Sequence, residues 1–105
     1  MKVKKLEKKL NNLNEHYEFI VKPATSLESS VKGDLAVSIR NRDSSDQKWT
    51  LMFYLMPPHE SVIHGGIDCW TIDVKSNIDC WTPKGLKFYI KALKVAEKFL
   101  NSKEK

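Results

Sequence analysis

Hydrophobic residues recur at helical spacing near the N-terminal end of the chain. Five apolar side chains follow one another at intervals of three and four residues: Val3, Leu6, Leu10, Leu13 and Tyr17. This spacing places them within an arc of roughly 80°, a stripe that suits contact with one neighbour. The pattern predicts an N-terminal helix within residues 1–16, and the asparagines that follow predict its end near Asn14.

A longer helical pattern occupies the C-terminal end. Thr82 suits the N-cap, Pro83 suits the first helical position, and Trp81 is placed to pack against Leu86. These signals predict a helix over residues 82–101 and a tail at 102–105.

The apolar side chains of this C-terminal helix cover roughly 220° of its circumference, whereas contact with a sheet needs little more than about 100°. The excess predicts a second cover for Phe88, Val95 and Phe99. The N-terminal helix and a second copy of the chain are the two alternatives, so these side chains are also candidates for a protein interface.

Residues 17–81 alternate between apolar and polar positions in four runs, which predict four strands. The runs occupy 17–22, 35–40, 49–56 and 69–74, and polar loops are predicted at 23–34, 41–48 and 57–66. The third run predicts Trp49, Leu51, Phe53 and Leu55 on one face and Thr50, Met52, Tyr54 and Met56 on the other. Because both faces are largely apolar, this strand is expected at the centre of the sheet, covered on both sides.

Hairpin-length links between the middle strands favour antiparallel pairing. The prediction is therefore an α+β fold of two layers, in which a four-stranded antiparallel sheet lies between an N-terminal and a C-terminal helix (αββββα). At 105 residues the chain suits a single domain, and its 41% apolar and 30% charged residues are typical of a globular protein.

The pentapeptide IDCWT occurs twice, at 67–71 and 78–82. With a two-residue turn at 76–77, the two copies predict a hairpin in which Trp70 and Trp81 share an apolar face. One interpretation is that these tryptophans close the core beneath the C-terminal helix. The other is an exposed patch that anchors a partner protein.

The uneven distribution of charge along the chain says more about possible partners than the net charge of +5 does. Residues 1–10 hold five lysines and one glutamate, residues 83–105 hold seven lysines and two glutamates, and the middle is acidic. Only two of the basic residues are arginines, which disfavours a site built on bidentate phosphate recognition.

Five lysines of the C-terminal helix are spaced by three and four residues with no acidic residue on their face: Lys84, Lys87, Lys91, Lys94 and Lys98. The row predicts a surface for an anionic macromolecule, either nucleic acid or a nucleoprotein, and few aromatic residues accompany it, so recognition is expected to be blind to base sequence. The alternative is a solvated helix face whose lysine stems shield the apolar flank.

Metal and catalytic chemistry find little support in the sequence. His59, His64, Cys69 and Cys80 include no close pair of the kind that zinc sites use, so no metal and no cofactor are predicted. The chain has no serine elbow, phosphate-binding loop or metalloprotease motif, and we expect no enzymatic activity. A metal or thiol site remains a third hypothesis that elemental analysis tests.

The longest uninterrupted apolar run, at 51–56, has six residues, far fewer than a membrane span needs. No apolar stretch follows the lysine-rich start, so no secretory signal is expected. The sequence therefore predicts a cytoplasmic protein with free thiols, and its two functional hypotheses are an anion-binding regulatory protein and a protein-interaction module that forms homodimers.

Overall fold

The computed structural model describes residues 1–24, 33–43, 45, 47–61, 65–67, 69–74 and 83–103, and the side chains of 59–61 and 65–67 lie outside that description. Two helices and six strands lie in this part of the chain. They are α1 (Val3–Asn11), β1 (Tyr17–Pro23), β2 (Leu35–Asn41), β3 (Thr50–Met56), β4 (His59–Ser61), β5 (Gly65–Ile67), β6 (Thr71–Val74) and α2 (Pro83–Ser102).

The main sheet has four strands in the order β1-β2-β3-β6, and every neighbouring pair is antiparallel. Phe19 pairs with Ile39, and Leu35 pairs with Leu55. The predicted α+β fold, with a helix at each end and an antiparallel sheet between them, is confirmed. The most apolar strand, β3, lies inside the sheet, as its two apolar faces predict.

The core lies between one face of this sheet and the two helices. Its fully buried side chains include Leu6 and Leu10 of α1, Val37 and Phe53 of the sheet, and Phe99 of α2. Burial of such apolar side chains is the main favourable contribution to folding, at roughly 1.5–3 kcal/mol each. The opposite face of the sheet carries two further buried residues, Ala36 and Tyr54, which are paired across β2 and β3.

A β-bulge in β3 changes which residues share a face. The register passes from Val37 opposite Phe53 to Ser38 opposite Leu51, so Met52 is the extra residue. Met52 therefore joins Phe53 in the core. The prediction that one unbroken alternation runs from Trp49 to Met56 is wrong, because the inserted residue inverts the alternation on one side of the bulge.

Helix α1 covers the outer edge of β1, which is an edge strand. The Asn11 side chain accepts a hydrogen bond from the Phe19 backbone N–H at 2.7 Å and donates one to the Phe19 carbonyl at 3.1 Å. Glu7 Oε2 accepts from the Val21 N–H at 2.9 Å. The helix ends at Asn11, earlier than the predicted end near Asn14, and Asn12 is its C-cap.

The segment predicted as a loop at 57–66 includes short strands that the sequence pattern does not predict. Strands β4 and β5 form a two-stranded antiparallel sheet of their own, with His59 opposite Ile67 and Ser61 opposite Gly65. Strands of three residues are too short to show an alternating pattern, and two of the three residues in β5 are glycine.

Several predictions from the sequence lie outside the described residues. They are the second IDCWT copy at 78–82 with its hairpin turn, the Thr82 cap, the contact of Trp81 with Leu86, and the end of the tail.

Candidate anion-binding surface on the C-terminal helix

Helix α2 is oriented by the side chains that it buries. Tyr89, Ala92, Ala96 and Phe99 are all buried, and they lie on the face that packs into the core. Because this face is fixed against the core, the opposite face of α2 is turned to solvent.

The five lysines lie on that solvent face. Lys84, Lys87, Lys91, Lys94 and Lys98 are all exposed. At about 100° per residue they fall within an arc of roughly 80°, and at 1.5 Å per residue they extend over about 21 Å of the helix axis. The row, which we call the lysine stripe, is therefore a regular line of five cationic groups.

No ion pair neutralises the lysine stripe within the described part of the chain. The ion pairs found there join Glu18 to Arg40, and His16 to Asp43 and Glu15. The single acidic residue of α2 is Glu97, which projects about 60° outside the stripe. None of the described carboxylates therefore neutralises the positive charge of the stripe.

The stripe is electrostatically unfavourable for the isolated helix. Like charges three and four residues apart repel one another by a few tenths of a kcal/mol per pair. Lys84 and Lys87 also lie in the first turns, where the helix macrodipole disfavours positive charge. Packing of the buried face offsets these costs, because the stability of a helix in a protein comes mostly from its tertiary contacts.

The chain itself covers two of the three apolar side chains that required a second cover. Phe88 stacks on Tyr17, with ring centroids 4.9 Å apart, and lies 5.9 Å from the Phe19 ring. Phe99 is fully buried and meets the edge of Trp70 at 5.5 Å. These two candidates for a protein interface consequently present little or no surface to a partner.

Val95 and Trp70 are half-buried and pack against the core. The Lys103 ammonium lies 5.7 Å from the Trp70 ring and 5.1 Å from the Phe99 ring, so the exposed part of Trp70 has a cationic neighbour. This arrangement agrees with the interpretation that Trp70 closes the core. Trp81, the corresponding residue of the second repeat, lies outside the described residues.

The exposed apolar residues of α2 are different from those predicted. Leu86 and Ile90 are 47% and 43% exposed, and both project on the side of the stripe away from Val95. The predicted apolar arc did include them. Their exposure is a property of tertiary packing, because α1 and β1 lie on the other side of the helix.

Arg40 forms an ion pair that the sequence pattern did not predict. Arg40 donates two hydrogen bonds to Glu18 Oε2, at 3.0 and 2.7 Å, and its guanidinium lies 4.5 Å from the Trp49 ring centroid. The direct pairing of Glu18 with Arg40 across β1 and β2 is the signal that would have found it. The cationic surface of the molecule is therefore supplied mainly by lysines.

The metal hypothesis receives no support from the described residues, among which no three histidine, cysteine or acidic side chains are grouped to hold an ion. Cys69 is a free, exposed thiol. His64 and Cys80 lie outside the description, so the convergence of these groups with His59 stays untested.

No helix in the described part of the chain combines the length and the hydropathy that crossing a membrane requires. Comparison with protein-family models, with curated proteins and with solved structures finds no match. Arguments about function therefore start from the residues of this chain alone.

Proposed function

We propose that this protein is a non-enzymatic binding or regulatory protein that engages the phosphate backbone of nucleic acid through the lysine stripe. One observation carries the proposal: five exposed lysines stand in a row on a helix whose other face is locked into the core, and no described carboxylate pairs with them.

The geometry of the row favours a polymer of regularly spaced charges. Phosphates advance about 3.4 Å along one strand of a duplex, so about 21 Å of helix is matched by roughly six nucleotides. Lysine ammonium groups act as point charges and do not form the planar fork that reads base edges. The proposed binding therefore positions the protein on the backbone without selecting a sequence.

The proposal also includes where in the cell the protein acts. The cytoplasmic location that the sequence predicts is one where nucleic acid and nucleoprotein are both accessible. Free nucleic acid is the primary ligand, since the stripe itself consists of lysines at regular intervals and includes none of the aromatic or arginine anchors that dominate protein interfaces.

Reversing the charge of the central part of the stripe tests the proposal. In the variant K87E/K91E/K94E, we expect the affinity for a 20-base-pair duplex to fall at least roughly tenfold at moderate salt, because three phosphate contacts become repulsive. The logarithm of affinity should also depend less steeply on the logarithm of salt, with the slope reduced by about 2.7. Fluorescence anisotropy over a range of salt concentrations measures both quantities.

The matched control is K4E/K8E/K22E, which makes the same change in net charge at three exposed positions elsewhere. Equal weakening by the two triple variants would show that net charge alone governs binding and would remove the stripe from the account. Binding of wild-type protein to an acidic polypeptide or to anionic vesicles, with none to nucleic acid, would reject the proposed ligand.

Self-association is a second candidate function, and the exposure of Leu86 and Ile90 is the observation that favours it. Two large apolar side chains one turn apart can pack against the same residues of a second copy. If they do, light scattering at high protein concentration gives the mass of a dimer, and the variant L86Q/I90Q returns the mass of a monomer. A wild-type monomer at all concentrations would contradict this candidate.

A further inference from the structure

Helix α1 is rich in lysine and packs beside α2, the helix that carries the lysine stripe. Some lysines of α1 are therefore positioned to extend the cationic surface of the stripe. Two sets of contacts hold α1 in place. Leu6 and Leu10 are buried in the core, and Glu7 and Asn11 bind the backbone edge of β1. The rotation of α1 about its own axis is therefore fixed.

Helices α1 and α2 run in opposite directions. At one end the Met1 ammonium donates a hydrogen bond to Ser102 Oγ at 2.7 Å, in the last turn of α2. At the other end Tyr17, which follows α1, stacks on Phe88 near the start of α2. The side of α2 that carries Ser102 therefore faces α1.

Three residues of the lysine stripe border that side of α2. At about 100° per residue, Lys84, Lys91 and Lys98 project within roughly 40° of Ser102. Lys87 and Lys94 project further from α1.

On α1, the lysines divide into two groups. Measured from the buried pair Leu6 and Leu10, the β1-binding side chains project about 100° to one side, and Lys5 and Lys9 project roughly 80–120° to the other. Lys2 precedes them at the N-cap of the helix. Because β1 occupies the first side and α1 also packs against α2, we infer that α2 lies toward the second side. The half-buried state of Lys9 agrees with this placement. Lys4 and Lys8 are exposed and project about 140–180° from the core, away from α2.

We propose that Lys2, Lys5 and Lys9 and the lysine stripe form one two-rowed basic surface that binds a nucleic-acid duplex across one of its grooves. The inference rests on the proposed function and adds the second row and the duplex. Packed helices lie about 8–10 Å apart, which is comparable with the roughly 6 and 12 Å widths of the two grooves of B-DNA. Each row thus has a phosphate strand to contact.

A single strand fits this surface less well. Proteins that bind single strands stack bases on aromatic side chains along a basic groove. Every tryptophan, tyrosine and phenylalanine side chain that the structure describes is partly or fully buried, and two of the rings beside the helix pair, Tyr17 and Phe88, are stacked on each other. Among the described residues, the surface offers charge in two rows and no stacking platform, so a duplex is the ligand that it matches.

Two double variants of α1 isolate the second row. K5E/K9E and K4E/K8E change the same helix by the same charge at the same spacing, and only the first pair borders α2. For wild-type protein with a 20-base-pair duplex, eight contacts predict a salt slope near −7, whereas the stripe alone predicts about −4.5. We expect K5E/K9E to reduce the slope by about 1.8 and K4E/K8E to leave it within about 0.5 of wild type.

The controls keep the two levels of the proposal distinguishable. K5Q/K9Q, which removes the charges without reversing them, and a thermal melt of each variant guard against loss of the fold. If K87E/K91E/K94E abolishes binding while K5E/K9E and K4E/K8E behave alike, the second row is refuted and the stripe stands. If wild-type protein binds no duplex, or binds a single strand at least as tightly, the two-rowed surface is refuted. Absence of binding to either nucleic acid refutes the proposed function as well.

Discussion

Glu7 and Asn11 show how two residues determine the position of an entire helix. Both use side-chain oxygen or nitrogen atoms to satisfy backbone groups of β1 that a neighbouring strand would otherwise satisfy. Unpaired edges invite association with other strands, and covering them is a common protection. Their spacing of four residues places both on the same side of α1, so the helix lies along the strand.

Substitution of Asn11 tests this arrangement. In Asn11→Ala, Phe19 loses partners for both its N–H and its carbonyl, so we expect the free energy of unfolding to fall by about 1–3 kcal/mol. Asn12→Ala is the matched control, because Asn12 is exposed and no described side-chain contact is lost. Chemical denaturation of both variants provides the comparison, and equal stability of the two would contradict the role of Asn11.

Residue-level patterns predicted some of these features and missed others for physical reasons. The buried face of α2 was predictable because its apolar residues are numerous and periodic. The bulge at Met52 was not, since Met52, Phe53 and their neighbours are all apolar and the register depends on pairing with β2. The role of Asn11 was hidden because its partner, Phe19, belongs to another element.

At the scale of elements, α2 combines two faces with opposite tasks. Its buried face closes the core, and its solvent face carries the lysine stripe. The sequence predicted both faces, but it left open what covers Phe88 and Phe99. The answer depends on the positions of Tyr17 and Trp70 in space, which no helical projection of α2 contains.

Truncating one large side chain on the buried face of α2 and one on its exposed side tests how much each contributes to stability. Phe99→Ala removes a fully buried ring that contacts Trp70, and we expect a loss of about 3–5 kcal/mol in the free energy of unfolding. Leu86→Ala, on the exposed side, should cost less than about 1 kcal/mol. Thermal or chemical denaturation measures both losses. Similar losses in the two variants would contradict the assignment of Phe99 to the core and Leu86 to the surface.

At the scale of the whole molecule, charge and topology act together. The sequence shows that both ends of the chain are basic, but it does not show that the ends are neighbours. The antiparallel arrangement of α1 and α2 brings them together, with Met1 beside Ser102. In the proposed two-rowed surface, a charge pattern that is split in the sequence is contiguous in the fold.

Two carboxylates from the acidic middle of the chain have partners within that same part of the chain. Among its described carboxylates, Glu18 pairs with Arg40 and Asp43 with His16, both within the sheet and its turns. These pairs are local and draw no charge from the lysine stripe. These described carboxylates therefore leave the charge of the lysine stripe in place, as binding to a polyanion requires.

The most direct test of this account is the salt dependence of duplex binding by the wild-type protein. Titrations between about 50 and 200 mM salt should show the logarithm of affinity falling linearly with the logarithm of salt concentration, at a slope of about −4.5 for the stripe alone and near −7 with both rows engaged. An affinity that does not change with salt, or no measurable affinity at the lowest salt, would contradict the claim that the exposed lysines bind a phosphate backbone.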